Sequence, residues 1–264
     1  MSLFDVISSR LGYTETDSSI SIPKALERAE ALGLAGVEIN LNFNSYFPET
    51  IKEYDIKEWR AEVDNSHIEL SFHGPVDISL ISRHQSIQKA AINRLCEFIE
   101  LAVRLGGKRF TFHPGRAAFM RPSQNAVLFF RNKYPQQLVN AFLNSLTDVI
   151  AFADGRIKIF IENTHTPDKP IMDIIRRFAQ EHFLSFAYDT AHSDHSKFLA
   201  DHTEFIKVCH LNDRQGDHSH IPLGSGEIDF APVIELLARK DCFFIIEAGK
   251  YESVRQSVEY LKSI

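Results

Sequence analysis

The chain has 264 residues, a formal charge of −6 and 44% hydrophobic residues. That apolar content supports a sizeable core and excludes a largely disordered chain. The acidic balance makes the chain a poor generic binder of polyanions, because neutralising phosphates takes Lys and Arg. No apolar run approaches the roughly 18 residues of a membrane span. The opening, MSLFDVISSRLGY, lacks the basic-then-apolar pattern of a secretory signal. Cys96, Cys209 and Cys242 stand isolated among apolar residues. They read as buried free thiols in a reducing compartment, hence a cytoplasmic protein.

In chain order, candidate strands cover residues 3–8, 36–40, 68–73, 108–113, 157–162, 184–189, 206–211 and 242–247. Most are near-continuous hydrophobic runs, which suits parallel strands covered on both faces. Helical patterns alternate with them. Ser21-Ile22-Pro23 opens the first, with Ser21 as its cap and Gly33 closing it. A second covers 56–65. From Ser86 to Leu105, the apolar residues Ile87, Ala91, Leu95, Phe98, Ala102 and Leu105 form one helical stripe, which Gly106-Gly107 ends. Leu138, Phe142, Leu146, Val149 and Ala153 repeat the pattern before Gly155. Helices at 171–181, 196–202 (a short one), 230–239 and 252–263 follow. The stretch 115–135, which holds Phe119, Pro122, Phe129 and Phe130, reads as an insertion after strand four. It is a candidate lid, or a contact surface in a homo-oligomer, with core packing of its aromatic residues as the competing explanation.

Eight strand-plus-helix units average about 33 residues each, and the whole length matches a single-domain (β/α)8 TIM barrel. A doubly wound open sheet would carry a Gly-rich phosphate turn after its first strand. Ser8-Ser9-Arg10-Leu11-Gly12 is not one.

The last residues of the strands carry the chemistry. Strand three ends in His73, strand four in His113, strand five in Glu162-Asn163, strand six in Asp189-Thr190-Ala191-His192, strand seven in His210 and strand eight in Glu247. In a parallel barrel these positions share the C-terminal rim. Taken singly, a strand-end His is a turn residue and a strand-end Glu is solvated. Six in succession would place carboxylates so close that they repel one another unless positive charge intervenes. A divalent cation supplies that charge, and mixed His/carboxylate ligation suits zinc or manganese. Loop seven adds a candidate donor in Asp217-His218-Ser219-His220. Arg116 and Arg214, beside two of the strand ends, are candidates for binding a sugar hydroxyl or phosphate, as against ordinary surface arginines. His67, His84, His165, His182, His195 and His202 have no such placement.

The strings SFHGP, FTFHPG, FIENT, YDTAH, CHLND, HIPLGSGEIDF and FIIEAG, from residue 71 to 248, resemble the xylose isomerase-like TIM barrel superfamily. They look most like the group that holds endonuclease IV (the family 2 AP endonucleases) and the sugar-phosphate isomerases/epimerases. The resemblance implies one to three divalent metal ions. In the endonuclease branch the ligands would be His73, His113, Glu162, Asp189, His192, His210, His220 and Glu247. In the isomerase branch Glu162, Asp189, His210 and Glu247 would hold one ion, with the two glutamates also moving protons.

Two departures bear on the substrate. The endonuclease has a loop-seven aspartate where His218 stands here, with Asp217 one residue early. Gly74-Pro75-Val76 supplies no aromatic residue to wedge into DNA. With the acidic charge, these favour a small sugar or sugar phosphate over nucleic acid. The expected activity is a metal-dependent isomerase/epimerase working through an enediolate. Glu162 and Glu247 would be the proton carriers, with His192 on a substrate hydroxyl and Asn163, Arg116 and Arg214 binding substrate. The alternatives are a multi-metal phosphodiesterase and a catalytically silent metal-binding barrel.

Overall fold

The computed structural model describes residues 2–116, 133–164, 169–192 and 195–264. Eight parallel strands close into a barrel: β1 (Leu11–Glu15), β2 (Gly36–Asn40), β3 (Glu69–His73), β4 (Arg109–Phe112), β5 (Lys158–Glu162), β6 (Ser185–Asp189), β7 (Ile206–Leu211) and β10 (Phe243–Ile246). Closure runs through β1, where Tyr13 stands opposite Val37 of β2 on one side and Ile246 of β10 on the other. Two short strands, β8 (Asp213–Gln215) and β9 (His218–Ile221), form an antiparallel hairpin after β7.

The helices fall where the apolar stripes predict. They are α2 (Ile22–Ala31), α3 (Glu53–Asn65), α4 (Gln85–Arg104), α5 (Pro135–Ala153), α6 (Lys169–Gln180), α7 (His195–His202), α8 (Ala231–Ala238) and α9 (Tyr251–Ser263), preceded by a one-turn α1 (Leu3–Ile7). The Ser21 side chain accepts the Lys24 N–H and caps α2, with Pro23 in its first turn. Leu138, Phe142, Leu146, Val149 and Ala153 turn the buried face of α5 onto the barrel. Each large side chain buried this way contributes about 1.5–3 kcal/mol.

The first element differs from expectation. Residues 3–8 form α1 and the start of a 3-10 turn, and the barrel strand is Leu11–Glu15. Leu3 and Ile7, four apart, bury on one helical face, and a Ser2/Asp5 capping box holds the N-terminus. The segment LGYTE does not register as a strand in the sequence because it is not a hydrophobic run. Its Thr14 and Glu15 are nonetheless buried. Most of the expected insertion, including Phe119, Phe129 and Phe130, lies outside the described residues, as does His165.

Inside the barrel, Phe160, Ala187, Val208, Phe243 and Ile245 form a separate apolar cluster. Below it the Arg109 guanidinium lies 3.7 Å from the Phe243 ring centroid and pairs with Glu69 at 2.6 Å. This plug leaves the polar chemistry to the opposite, C-terminal end. No described helix is long and apolar enough to cross a membrane. Cys209 and Cys242 are buried and Cys96 half-buried, all three free.

Candidate metal centre

The ends of β3, β5, β6 and β7, with the residues just after β4 and β10, deliver six side chains to one place. Two sets have ligand atoms within 4.8 Å of one another: His73, His113 and Glu162, and Glu162, Asp189, His210 and Glu247. Glu162 belongs to both. Its Oε2 receives His73 Nε2 at 2.8 Å and His113 Nε2 at 3.1 Å, while Oε1 faces His210 Nδ1 at 3.5 Å and His192 Nδ1 at 3.4 Å.

The histidines are aimed by their second nitrogens. His73 Nδ1–H donates to the Gly74 carbonyl at 2.9 Å, which leaves Nε2 for the cluster. His192 Nδ1–H donates to the Asn163 carbonyl at 2.6 Å, which frees Nε2. His210 Nδ1 also stands 3.6 Å from Glu247 Oε2, and its Nε2 lies 3.4 Å from Glu38 Oε1. Neither His210 nitrogen closes a hydrogen bond.

Charge at the cluster is tightly coupled. Burial alone would raise the Glu162 carboxyl, but the His113 and His210 rings hold it well below the usual carboxylate range. Burial opposes the His73 imidazolium, yet the Glu162 carboxylate outweighs it and pushes the ring up to about 9. His210 is likewise pushed up against its burial, by Glu38 and Glu162. Burial raises Asp189 to about 6, with His192 opposing and Glu247 and Glu162 assisting. Glu247 is drawn down to about 2 against its burial, chiefly by His220 and His210. Buried carboxylates faced by imidazoles, one of which has both nitrogens unclosed, are what a divalent cation would answer and complete. The donor set fits zinc or manganese.

The other expected residues sit around this core. His220 Nε2 is 3.6 Å from Glu247 Oε1 at the cluster's edge. Asp217 and His218 are exposed on the hairpin and belong to neither set. Asn163 is buried, with both ends of its amide on the Asp189 backbone: Nδ2–H donates to the carbonyl at 3.1 Å and Oδ1 accepts the N–H at 2.5 Å. Both ends of the amide that the sequence suggested for a substrate contact thus bond the backbone of the next strand. The Arg214 guanidinium donates to the Ala191 carbonyl. Arg116 is exposed, and its carbonyl accepts from Ser79.

The sequence reading missed Asn212, Asp213 and Glu38. Asn212 Nδ2–H donates to Asp189 Oδ2 at 3.1 Å, and its Oδ1 accepts the His220 N–H at 2.7 Å. Asp213 accepts the N–H groups of Gly224, Gly226, Ile228 and Arg214. Glu38 could have been found from alternation, because Gly36, Glu38 and Asn40 share the face of β2 opposite the apolar Val37 and Ile39.

The family profile described as xylose isomerase-like TIM barrel matches residues 26–264. An uncharacterized protein of Methanocaldococcus jannaschii, MJ1614, is 24% identical over 235 residues, covering 83% of this chain and 81% of that protein. Among solved structures, a D-tagatose 3-epimerase-like protein superposes with a TM-score of 0.76 at 20% identity, covering 96% of each chain. Endonuclease IV from Thermus thermophilus gives 0.70 at 18%, covering 97% of this chain and 100% of its own. The IolI protein with a bound zinc atom gives 0.71 at 16%, covering 96% and 95%. At these identities the likeness to the solved structures is one of fold.

Proposed function

Since the chain belongs to the xylose isomerase-like TIM barrel family, we propose that it is a divalent-metal-dependent isomerase or epimerase of a sugar or sugar phosphate. One observation carries this reading. Two buried carboxylates, Glu162 and Glu247, from strands on different sides of the mouth, meet in a single set with Asp189 and His210. A cation held by those four side chains would polarise a substrate carbonyl and acidify the neighbouring C–H. Glu162 and Glu247 then act on opposite faces of that carbon, one taking the proton and the other returning it. His192 Nε2, freed by the Nδ1–H bond to Asn163, holds a substrate hydroxyl. The epimerase-like neighbour and the zinc-bearing IolI structure agree with this chemistry.

The second set, His73, His113 and Glu162, favours a different reading, a phosphodiesterase with several ions, and endonuclease IV is among the structural neighbours. Metal counting separates the two, with one tightly held ion per chain expected for the isomerase and two or three for the hydrolase. Glu247→Gln is expected to retain bound metal and to lower solvent-deuterium exchange into a ketose or ketose phosphate by about 10²–10⁴-fold. Full exchange in the variant overturns its role as proton carrier, and cleavage of abasic-site DNA at physiological salt overturns the isomerase assignment.

A further inference from the structure

Among the described residues, Glu38 is a buried carboxylate of this region that no part of the proposed chemistry uses. It projects from the middle of β2 into the closed barrel and is 0% exposed. Thr14 of neighbouring β1 donates its hydroxyl to Oε1 at 3.1 Å, while Oε2 has no hydrogen-bond partner among the described residues. A buried carboxylate costs free energy unless an opposite charge answers it. The answering group is His210, also 0% exposed, which crosses from β7 with Nε2 3.4 Å from Glu38 Oε1.

The rest of the site shows what such a contact does. His73 and His192 each tie one ring nitrogen to a backbone carbonyl and keep the other for the cluster. His210 has no carbonyl partner among the described residues, and Glu38 stands in that place. The nitrogen left over, Nδ1, is the one that faces Glu162 Oε1 at 3.5 Å and Glu247 Oε2 at 3.6 Å. A carboxylate anchor differs from a carbonyl in kind. It carries full charge, so it fixes the tautomer and also makes the opposite nitrogen a stronger donor to a cation.

We propose that Glu38 is the positioning residue of the metal centre: from inside the barrel its carboxylate faces His210 Nε2 at ion-pair distance, draws the ring proton to that nitrogen and so commits Nδ1 to the ion. The proposal rests on the reading that Glu162, Asp189, His210 and Glu247 hold a metal. Thr14 steadies the carboxylate, and the apolar layer of Phe160, Val208 and Ile245 beneath keeps the pair away from bulk water.

The test uses the full-length chain, stripped of metal and titrated with zinc and with manganese by calorimetry. Glu38→Gln keeps the size of the side chain and removes its charge. It is expected to weaken binding by about 10- to 100-fold while the melting temperature of the metal-free protein stays close to that of the wild type. Glu38→Asp, which keeps the charge and withdraws it by one methylene, is expected to lose less. Imidazole nitrogen NMR of the zinc-loaded wild type gives an answer that depends on no variant, with Nε2 of His210 protonated and Nδ1 bound to metal. Wild-type binding retained undiminished in Glu38→Gln, or His210 ligating through Nε2, overturns this proposal alone. A wild-type chain that takes up neither ion overturns it together with the metal-dependent function.

Discussion

The Asn163 amide ties the end of β5 to the end of β6 by donating to the Asp189 carbonyl and accepting the Asp189 N–H. Its own backbone carbonyl orients His192. One residue therefore sets the spacing of Glu162 and Asp189 and the direction of a third side chain. Asn163→Ala leaves a buried N–H and a buried carbonyl without partners, a loss of about 1–3 kcal/mol. The expected outcome is a lower urea midpoint together with weaker zinc binding. A variant with wild-type affinity would show that Asp189 holds its place without the bridge. The same division of labour explains why the residue types at the rim were readable and their roles were not. FIENT puts an amide next to a carboxylate, and only the bond to the next strand shows that the amide is already occupied.

At the scale of the element, the hairpin and the loop after it are built around Asp213. Its carboxylate gathers the N–H groups of Gly224, Gly226, Ile228 and Arg214. This accounts for the spacing in PLGSGEI. Gly224 adopts φ +80°, and a Cβ there would strike the Tyr260 ring, while a Cβ at Gly226 would run into the Arg214 carbonyl and the Asp213 carboxylate itself. His220, on the second strand of the hairpin, is held by Asn212, which accepts its N–H. Asp213→Ala removes a charged acceptor from several partly buried donors and is expected to cost about 1–3 kcal/mol or more. Hydrogen exchange at the Gly224 and Gly226 amides should accelerate in the variant while α5 stays protected. Unchanged protection at both glycines would place the loop's order elsewhere. A strand-and-helix reading assigns this stretch to a polar loop, because strands of three and four residues carry too little periodicity to register.

For the molecule as a whole, the proposed metal would tie ligand binding to stability. Glu38, Glu162, Asp189 and Glu247 converge at one end of the barrel and are answered without metal chiefly by histidines. A cation that binds the folded chain alone adds RT ln(1 + [L]/Kd), about 4 kcal/mol at a thousandfold excess over Kd. Chelation is therefore expected to lower the melting temperature, and added zinc or manganese to restore it in a concentration-dependent way. A melting curve indifferent to both would mean that the histidines alone satisfy the cluster.

The barrel, its helices and the identity of the residues that end its strands were determined by sequence alone, because each is local information. A helical stripe, a hydrophobic run and the residue that ends it can all be read within about twenty positions. The first strand was the exception, and for a physical reason: closing the barrel buries Thr14 and Glu15, so burial there leaves no hydrophobic trace. Tertiary structure decided the rest. Which nitrogen of His210 faces the cluster, that Glu38 reaches it from β2, and that Asn163 and Asp213 spend their side chains on backbone all depend on strands far apart in the chain being brought together as the sheet closes. Those distances are fixed by the geometry of closure, which no window of sequence contains.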